Sequence, residues 1–151
     1  MLEPELLQTL SAHDRKIFPS GTAIVDFDKY VKNIPIVLKG SVKVLSEDEN
    51  GKEITLYHIK PGESCVASII GAISQGKSKV KAVTIEETEI LLLDSNRMYD
   101  LIKTNPKWFS FFIQLYQTRF EELIEVVKRS NFSTHEERVL QLLQQRSKLL
   151  N

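Results

Sequence analysis

The sequence predicts an α+β protein in which an antiparallel sheet of short strands is followed by one long helix. The β-rich part ends at Asp94, and a helical pattern begins at Asn105. From there an apolar residue recurs at every third or fourth position, which is the seam of a helix that packs against another helix. We therefore predict a sensor that dimerises through these residues: Phe109, Ile113, Tyr116, Phe120, Leu123 and Val127.

Composition narrows the class of protein. The 151 residues fit one domain and are enough to bury a hydrophobic core. Twenty basic residues balance twenty acidic ones, so the chain has no net positive charge that would attract nucleic acid. The single cysteine, Cys65, excludes an internal disulfide and fits a reducing, cytoplasmic compartment. No apolar run is long enough to span a bilayer. The three histidines lack the paired spacing of a zinc site, so we predict no metal.

The strongest local signal in the β-rich part is a hairpin. Residues 41–45 alternate, residues 54–59 are rich in β-formers, and Asn50-Gly51 between them favours a tight primed turn. Further strands are predicted at 22–25, 34–38, 80–85 and 89–93, with a short apolar helix at 68–73. Pro35 indicates that its strand lies at a sheet edge or carries an irregularity.

Three other helices are predicted from capping and spacing. Leucines at helical spacing place a first helix within residues 3–15, and Asp94 or Ser95 caps a short helix that reaches Ile102. Asn105-Pro106 is a strong start for the long helix, whose first half carries a second apolar stripe. That stripe consists of Trp108, Phe111, Phe112 and Leu115.

The long helix is expected to end near Ser130. Asn131-Phe132 would interrupt it, and a capping box at residues 133–136 would open a last helix. Val139, Leu142 and Leu143 on that helix lack an obvious cover. We therefore expect residues 131–151 to be the start of a further domain that is otherwise absent.

Several segments in this order carry a family resemblance. They are Ile36-Val37-Leu38-Lys39-Gly40-Ser41-Val42-Lys43-Val44, Lys60-Pro61-Gly62-Glu63-Ser64-Cys65, Thr88-Glu89-Ile90-Leu91-Leu92-Leu93, Arg119-Phe120-Glu121-Glu122-Leu123, and Phe132-Ser133 with Glu137-Arg138-Val139. Together with the small helix inside the sheet and the long helix after it, they resemble the Crp/Fnr family of bacterial transcription regulators.

The resemblance implies a β-roll, the double-stranded β-helix of cyclic-nucleotide-binding-like domains, that senses an effector within residues 1–104. It also implies a homodimer built on residues 105–130 and DNA contact only through a missing carboxyl-terminal helix-turn-helix. The alternative is a stand-alone ligand-binding or adapter domain of the same fold that never touches DNA. Because no phosphate loop, nucleophile elbow or paired metal motif is present, we predict that the chain is not an enzyme.

The cyclic-nucleotide-binding branch of the family uses a glutamate of the small helix for the ribose and an arginine, followed by serine or threonine, for the cyclic phosphate. Here Ala67 stands at the glutamate position, and Lys77-Ser78 stands in the loop where the arginine would lie. Lysine offers a point charge and not a bidentate fork. The candidate pocket, whose effector is unknown and which is predicted not to respond to cyclic AMP, comprises Cys65, Val66, Ala67, Ser68, Lys77 and Ser78.

Two further kinds of chemistry are considered for this part of the chain, a reactive cysteine thiol and haem ligation by a histidine. Cys65 is a reactive thiol if positive charge and solvent reach it, and a small buried hydrophobe if they do not. Some members of the family bind haem, which would make His58 or His13 an axial ligand. A single histidine in the roll, without supporting groups, favours an ordinary strand residue.

Overall fold

A computed structural model describes residues 2–10 and 14–150, with side chains except those of residues 132–135, 138, 141 and 148–150. The chain divides into two compact units, residues 1–115 and residues 116–151. The longest helix begins in the first unit and continues into the second. The two units are therefore described one after the other.

The described residues of the first unit form two antiparallel sheets. One has the order β1-β7-β3 and the other the order β2-β6-β4-β5. This arrangement confirms the predicted antiparallel roll, and β3, which contains Pro35, is an edge strand as expected. The strands are β1 Arg15–Phe18, β2 Ala23–Val25, β3 Asn33–Lys39, β4 Val42–Glu47, β5 Glu53–Ile59, β6 Lys81–Thr84 and β7 Thr88–Asp94.

The β4–β5 hairpin is present, but its predicted primed turn is wrong. Within this loop only Gly51 has a left-handed backbone, with φ 79°, whereas a primed turn needs that conformation at Asn50 as well. The Asp48 carboxylate accepts hydrogen bonds from the backbone N–H groups of Asn50 and Lys52, each at 2.9 Å. This side-chain capping stabilises a longer loop of residues 48–52.

Four helices complete the described elements: α1 Pro4–Leu7, α2 Val66–Ser74, α3 Ser95–Thr104 and α4 Pro106–Leu150. The caps predicted at Asp94 and Asn105 are confirmed. Asp94 accepts hydrogen bonds from the N–H groups of Asn96 and Arg97 at 2.9 and 3.3 Å, and Asn105 accepts one from Lys107 at 3.0 Å. These side chains satisfy amides that the first turn of a helix leaves without backbone partners.

The predicted first helix over residues 3–15 is too long. Among the described residues of this range, Pro4–Leu7 (α1) form the only α-helical turn, and Arg15 already belongs to β1. The leucine spacing reflects packing instead: Leu6 and Leu10 are buried in the core that α4 also lines. Close by, the Trp108 indole N–H donates to the Thr9 hydroxyl at 3.2 Å.

Successive side chains of β7 point to opposite faces of their sheet and so reach two separate cores. Ile90 lies in the inner core, enclosed by the roll, and Leu91 lies in the outer core, which the helices cover. The inner core is made of Val37, Val42, Val44, Ile59, Cys65, Val80, Ala82 and Ile90. The outer core joins Ile34, Ile36, Leu91 and Leu93 of the sheet to Leu6, Val66, Ile69, Met98, Trp108, Phe111, Phe112 and Leu115 of the helices.

In the second unit, α4 continues through Asn131 and Phe132 to Leu150 without a break, so the predicted interruption is wrong. Neither residue is glycine or proline, and both are tolerated inside a helix at a cost of a few tenths of a kcal/mol. The side chains of the proposed capping box at 133–135 lie outside the described ones. The functional boundaries after residues 104 and 130 stay predictions. In the part of the chain that the structure describes, no helix combines the length and apolar character needed to cross a membrane.

Candidate effector site

The start of α2 is fixed by the edge of β3. The Gly62 N–H donates to the Val37 carbonyl at 2.8 Å, and the Val37 N–H donates to the Glu63 carbonyl at 3.0 Å. The buried Ser64 hydroxyl donates to the Pro35 carbonyl at 2.6 Å. The turn that leads into α2 therefore acts as an extra partner for an edge strand that would otherwise have free backbone groups.

The predicted pocket residues of α2 follow directly. Cys65 is the N-cap, is fully buried, and has its sulfur 3.7 Å from the Tyr57 hydroxyl oxygen. Ser68 is also fully buried, and its hydroxyl has no hydrogen-bond partner among the described atoms. Val66 packs into the outer core, whereas the half-buried Ala67 packs against the inner one. The site thus combines one thiol, one unsatisfied hydroxyl and the amides of a helix start.

Lys77 and Ser78 contact a different part of the roll. The Ser78 N–H donates to the Lys29 carbonyl at 2.8 Å, and the Ser78 carbonyl accepts from the Asp28 N–H at 2.9 Å. The buried Ser78 hydroxyl donates to the Val80 carbonyl at 2.8 Å. The exposed Lys77 ammonium lies 5.5 Å from the centre of the Tyr30 ring. The six predicted residues therefore form two groups, one at the start of α2 and one against the loop of residues 28–30.

Sequence reasoning missed two aromatic residues at these positions. Tyr57 reaches Cys65 because it lies on the inward face of β5, two residues before the buried Ile59. That alternation was readable in the sequence. The role of Tyr30 could not be read in the same way. Tyr30 and Lys77 are 47 positions apart in the sequence, and they come into contact only in the folded chain.

The predicted interface residues all lie on α4 and are all solvent-exposed in the single chain. Within the second unit the rings of Tyr116 and Phe120 stack with their centres 6.4 Å apart and their planes at 9°. The exposed fractions are Phe109 54%, Ile113 49%, Tyr116 50%, Phe120 52%, Leu123 57% and Val127 51%. Exposed apolar stripes of this kind are typical of surfaces that contact another molecule.

The histidine predictions gain no support from geometry. His58 is exposed on β5, opposite Lys43, and His13 lies outside the described residues. Among the described histidines, cysteines, aspartates and glutamates, no three are grouped so that they could hold a metal ion.

An antiparallel roll with a short helix after its fifth strand and a long helix beyond its seventh defines a cyclic-nucleotide-binding-like domain. The sequence profile of the cyclic nucleotide-binding domain family matches residues 15–105, which is more than half of the chain. The chain therefore belongs to the cyclic nucleotide-binding domain family, and the resemblance to Crp/Fnr-type regulators is confirmed.

The relatives are regulators. The chain is 28% identical over 106 residues to the cyclic AMP receptor protein of Thermus thermophilus. The match covers 70% of this chain and 48% of that protein. The solved catabolite activator protein of Thermus thermophilus matches 87% of this chain and 61% of its own, at 24% identity and a TM-score of 0.71. CLP, the c-di-GMP-responsive global regulator of Xanthomonas campestris, matches 76% and 57%, at 19% identity and a TM-score of 0.68. The chain thus spans about half the length of the curated relative it matches.

Proposed function

We propose that the chain is the effector-sensing and dimerising part of a Crp/Fnr-type transcription regulator. The observation that carries this proposal is the exposed stripe on α4, which follows a roll of the cyclic nucleotide-binding family. Six apolar residues recur at spacings of four and three, the pattern of a two-stranded coiled coil. Each is about half exposed in the single chain, so a second copy would cover them.

The stripe changes register after Val127. Continuing its spacing leads to Ser130 and Thr134, which are polar, so the coiled-coil seam ends there. A second apolar group follows with a different register and is also exposed: Val139 at 42%, Leu142 at 61% and Leu143 at 58%. With Arg146 these residues line a hollow of about 250 Å³. We propose that residues 131–151 begin a DNA-binding domain and that this second apolar group contacts the rest of that domain.

A site-specific cross-link tests the pairing. In a parallel coiled coil the two copies of Leu123 face each other, so a Leu123→Cys variant is expected to form an intermolecular disulfide under mild oxidation. Cys65 does not compete, because it is fully buried. A Cys65→Ala background removes it altogether. The readout is the fraction of covalent dimer on a non-reducing gel.

Thr118→Cys is the matched control, since Thr118 is exposed on the same helix but outside the stripe. It is expected to stay monomeric on the gel under the oxidation that links Leu123→Cys. Equal cross-linking of the two variants, or of neither, would contradict pairing along this seam.

We further propose that the effector is not a cyclic nucleotide. Ala67 brings no carboxylate for a ribose, and the Ser78 hydroxyl is already bonded to Val80. The interior of the roll, moreover, contains the mostly apolar side chains of the inner core, which offer few donors to a cyclic phosphate. Two relatives are named for different nucleotides, cyclic AMP in one and c-di-GMP in the other, so relatives of this fold differ in ligand.

A route from this site to the dimer helix exists within the first unit. Val66 and Ile69 of α2 share the outer core with Trp108 and Phe111 of α4. Closely packed interiors transmit small displacements. An effector bound at the start of α2 would therefore shift the conformational balance of α4, provided that it prefers one state.

Calorimetric titration tests the effector assignment. We expect no binding heat from cyclic AMP or cyclic GMP at millimolar concentration. The control is an Ala67→Glu, Lys77→Arg double variant, which restores the carboxylate and the bidentate guanidinium of the nucleotide-binding branch and is expected to bind more tightly than the natural chain. Micromolar binding of either nucleotide to the unchanged chain would overturn this part of the proposal.

A further inference from the structure

A cavity lies between β2 and the segment that leads into β3, and no residue of α2 lines it. It has a volume of about 250 Å³ and is lined by residues 23–26 and 29–33. Tyr30 on its rim is 62% exposed, so its ring is accessible to a ligand. We propose that this cavity binds a compact phosphorylated compound that carries one planar ring.

The walls of this cavity are held in place before any ligand arrives. The Asp28 N–H and the Lys29 carbonyl are both hydrogen-bonded to the backbone of Ser78, and the Lys32 carbonyl accepts from the Ser95 N–H at 3.0 Å. Asp28 has φ 58°, in the left-handed region that asparagine and aspartate adopt more readily than other residues with a Cβ. A rim that is fixed in this way lowers the entropy cost of binding.

The charges around the cavity favour an anion. Lys29 and Lys32 line it, and Lys77 adds a third ammonium group over the Tyr30 ring. Two carboxylates oppose them. Asp26 lines the cavity and accepts a hydrogen bond from the Phe27 N–H at 3.0 Å, and Asp28 lies in the same loop. Three positive groups against two negative ones leave a positive balance.

The ring and the size of the cavity define the rest of the ligand. An exposed tyrosine offers a face for a planar group to stack on, and stacking of this kind tolerates different ring systems. The volume is below the roughly 300 Å³ at which pockets enclose a drug-sized molecule. A phosphate monoester supplies two negative charges at most and three acceptor oxygens to the lysines. Together these features favour a small aromatic phosphate monoester.

Phenyl phosphate is the probe for a nitrogen-15 NMR titration of the whole chain. We expect saturable shifts of the amides of residues 29–33, with tighter binding than that of inorganic phosphate or of phenol alone. Tyr30→Ala should weaken binding about tenfold, whereas Tyr30→Phe, which keeps the ring, should not. Lys29→Gln with Lys32→Gln should weaken it roughly fivefold. Raising the salt from about 0.1 M to about 1 M should weaken it as well.

Lys16→Gln is the matched control, because Lys16 is exposed on β1 and does not line the cavity. Binding should be unchanged in this variant. It should also be unchanged in Cys65→Ala, which separates this cavity from the start of α2 and from the proposed effector site. The proposal is overturned if millimolar phenyl phosphate gives no saturable shifts, if inorganic phosphate binds as tightly, or if the Tyr30 and lysine variants bind like the natural chain.

Discussion

Gly40 is the residue whose replacement has the most clearly calculable effect on the roll. It joins β3 to β4 with φ +95°, a conformation that costs a residue with a Cβ roughly 1–2 kcal/mol. An added Cβ would lie 2.5 Å from the Thr88 hydroxyl oxygen and 2.7 Å from the Glu87 carbonyl oxygen. Thr88 cannot turn away freely, because its hydroxyl accepts from the Ser41 N–H and donates to the Glu86 carbonyl.

Overpacking of a rigid site adds about 1–3 kcal/mol, so Gly40→Ala is expected to lower the free energy of unfolding by about 2–5 kcal/mol. The assay is urea unfolding followed by the fluorescence of Trp108, the single tryptophan of the chain, which is fully buried. Gly51→Ala is the matched control. Gly51 has φ +79° but no atom within 4 Å of an added Cβ, so only the conformational cost of roughly 1–2 kcal/mol remains. Equal losses in the two variants would refute the close approach of Gly40 to Thr88.

Three further predictions concern single contacts. Thr9→Val should destabilise the fold by about 1–3 kcal/mol in the same urea assay, because the buried Trp108 N–H loses its acceptor. Thr9→Ser keeps the hydroxyl and should be nearly neutral. Equal effects of the two substitutions would contradict this role of Thr9. The Cys65 thiol should resist Ellman's reagent in the native protein and react fully in urea, since it is completely buried, and rapid native labelling would show otherwise. The side-chain hydrogen bond to Glu5, together with the charge of Glu5, raises the pKa of Lys107 above its ordinary value of 10.5. The small stabilisation by this pair should therefore be complete below pH 10.5 and be lost as the pH rises beyond the raised pKa. The urea midpoints of the natural chain and of Lys107→Met, compared across this pH range, would detect the loss. A difference between the two midpoints that does not change with pH would refute it.

The elements that the sequence predicted correctly depend on local chemistry. Asn105-Pro106 starts α4 because an amide side chain and a fixed φ suit the first turn of any helix, and Asp94 caps α3 for a similar reason. The alternation of residues 41–45 also predicted the inward face of β4 correctly, since Val42 and Val44 are buried in the inner core. The errors arose where distant residues decide the outcome: Leu6 and Leu10 followed a helical spacing because α4 covers them.

The candidate site was predictable only in part. The position of Cys65 shortly before a short helix followed from the apolar run of residues 68–73, and the structure places it at the N-cap of α2. The partner of Lys77 could not be predicted, because the contact with Tyr30 depends on how the loop after α2 pairs with residues 28–30. β1 was missed for another reason: Arg15, Lys16 and Ile17 are all exposed, so no alternation marks this edge strand.

The mass of the chain in solution tests the central claim most directly. Sedimentation equilibrium of the purified protein should give twice the chain mass of 17.3 kDa. Leu123→Glu should reduce it to the mass of one chain, because a carboxylate would be buried in the seam, while Thr118→Glu should leave the dimer intact. A natural chain that sediments at 17.3 kDa at every concentration would contradict pairing through α4, and a Leu123→Glu variant that still sediments as a dimer would place the contact elsewhere.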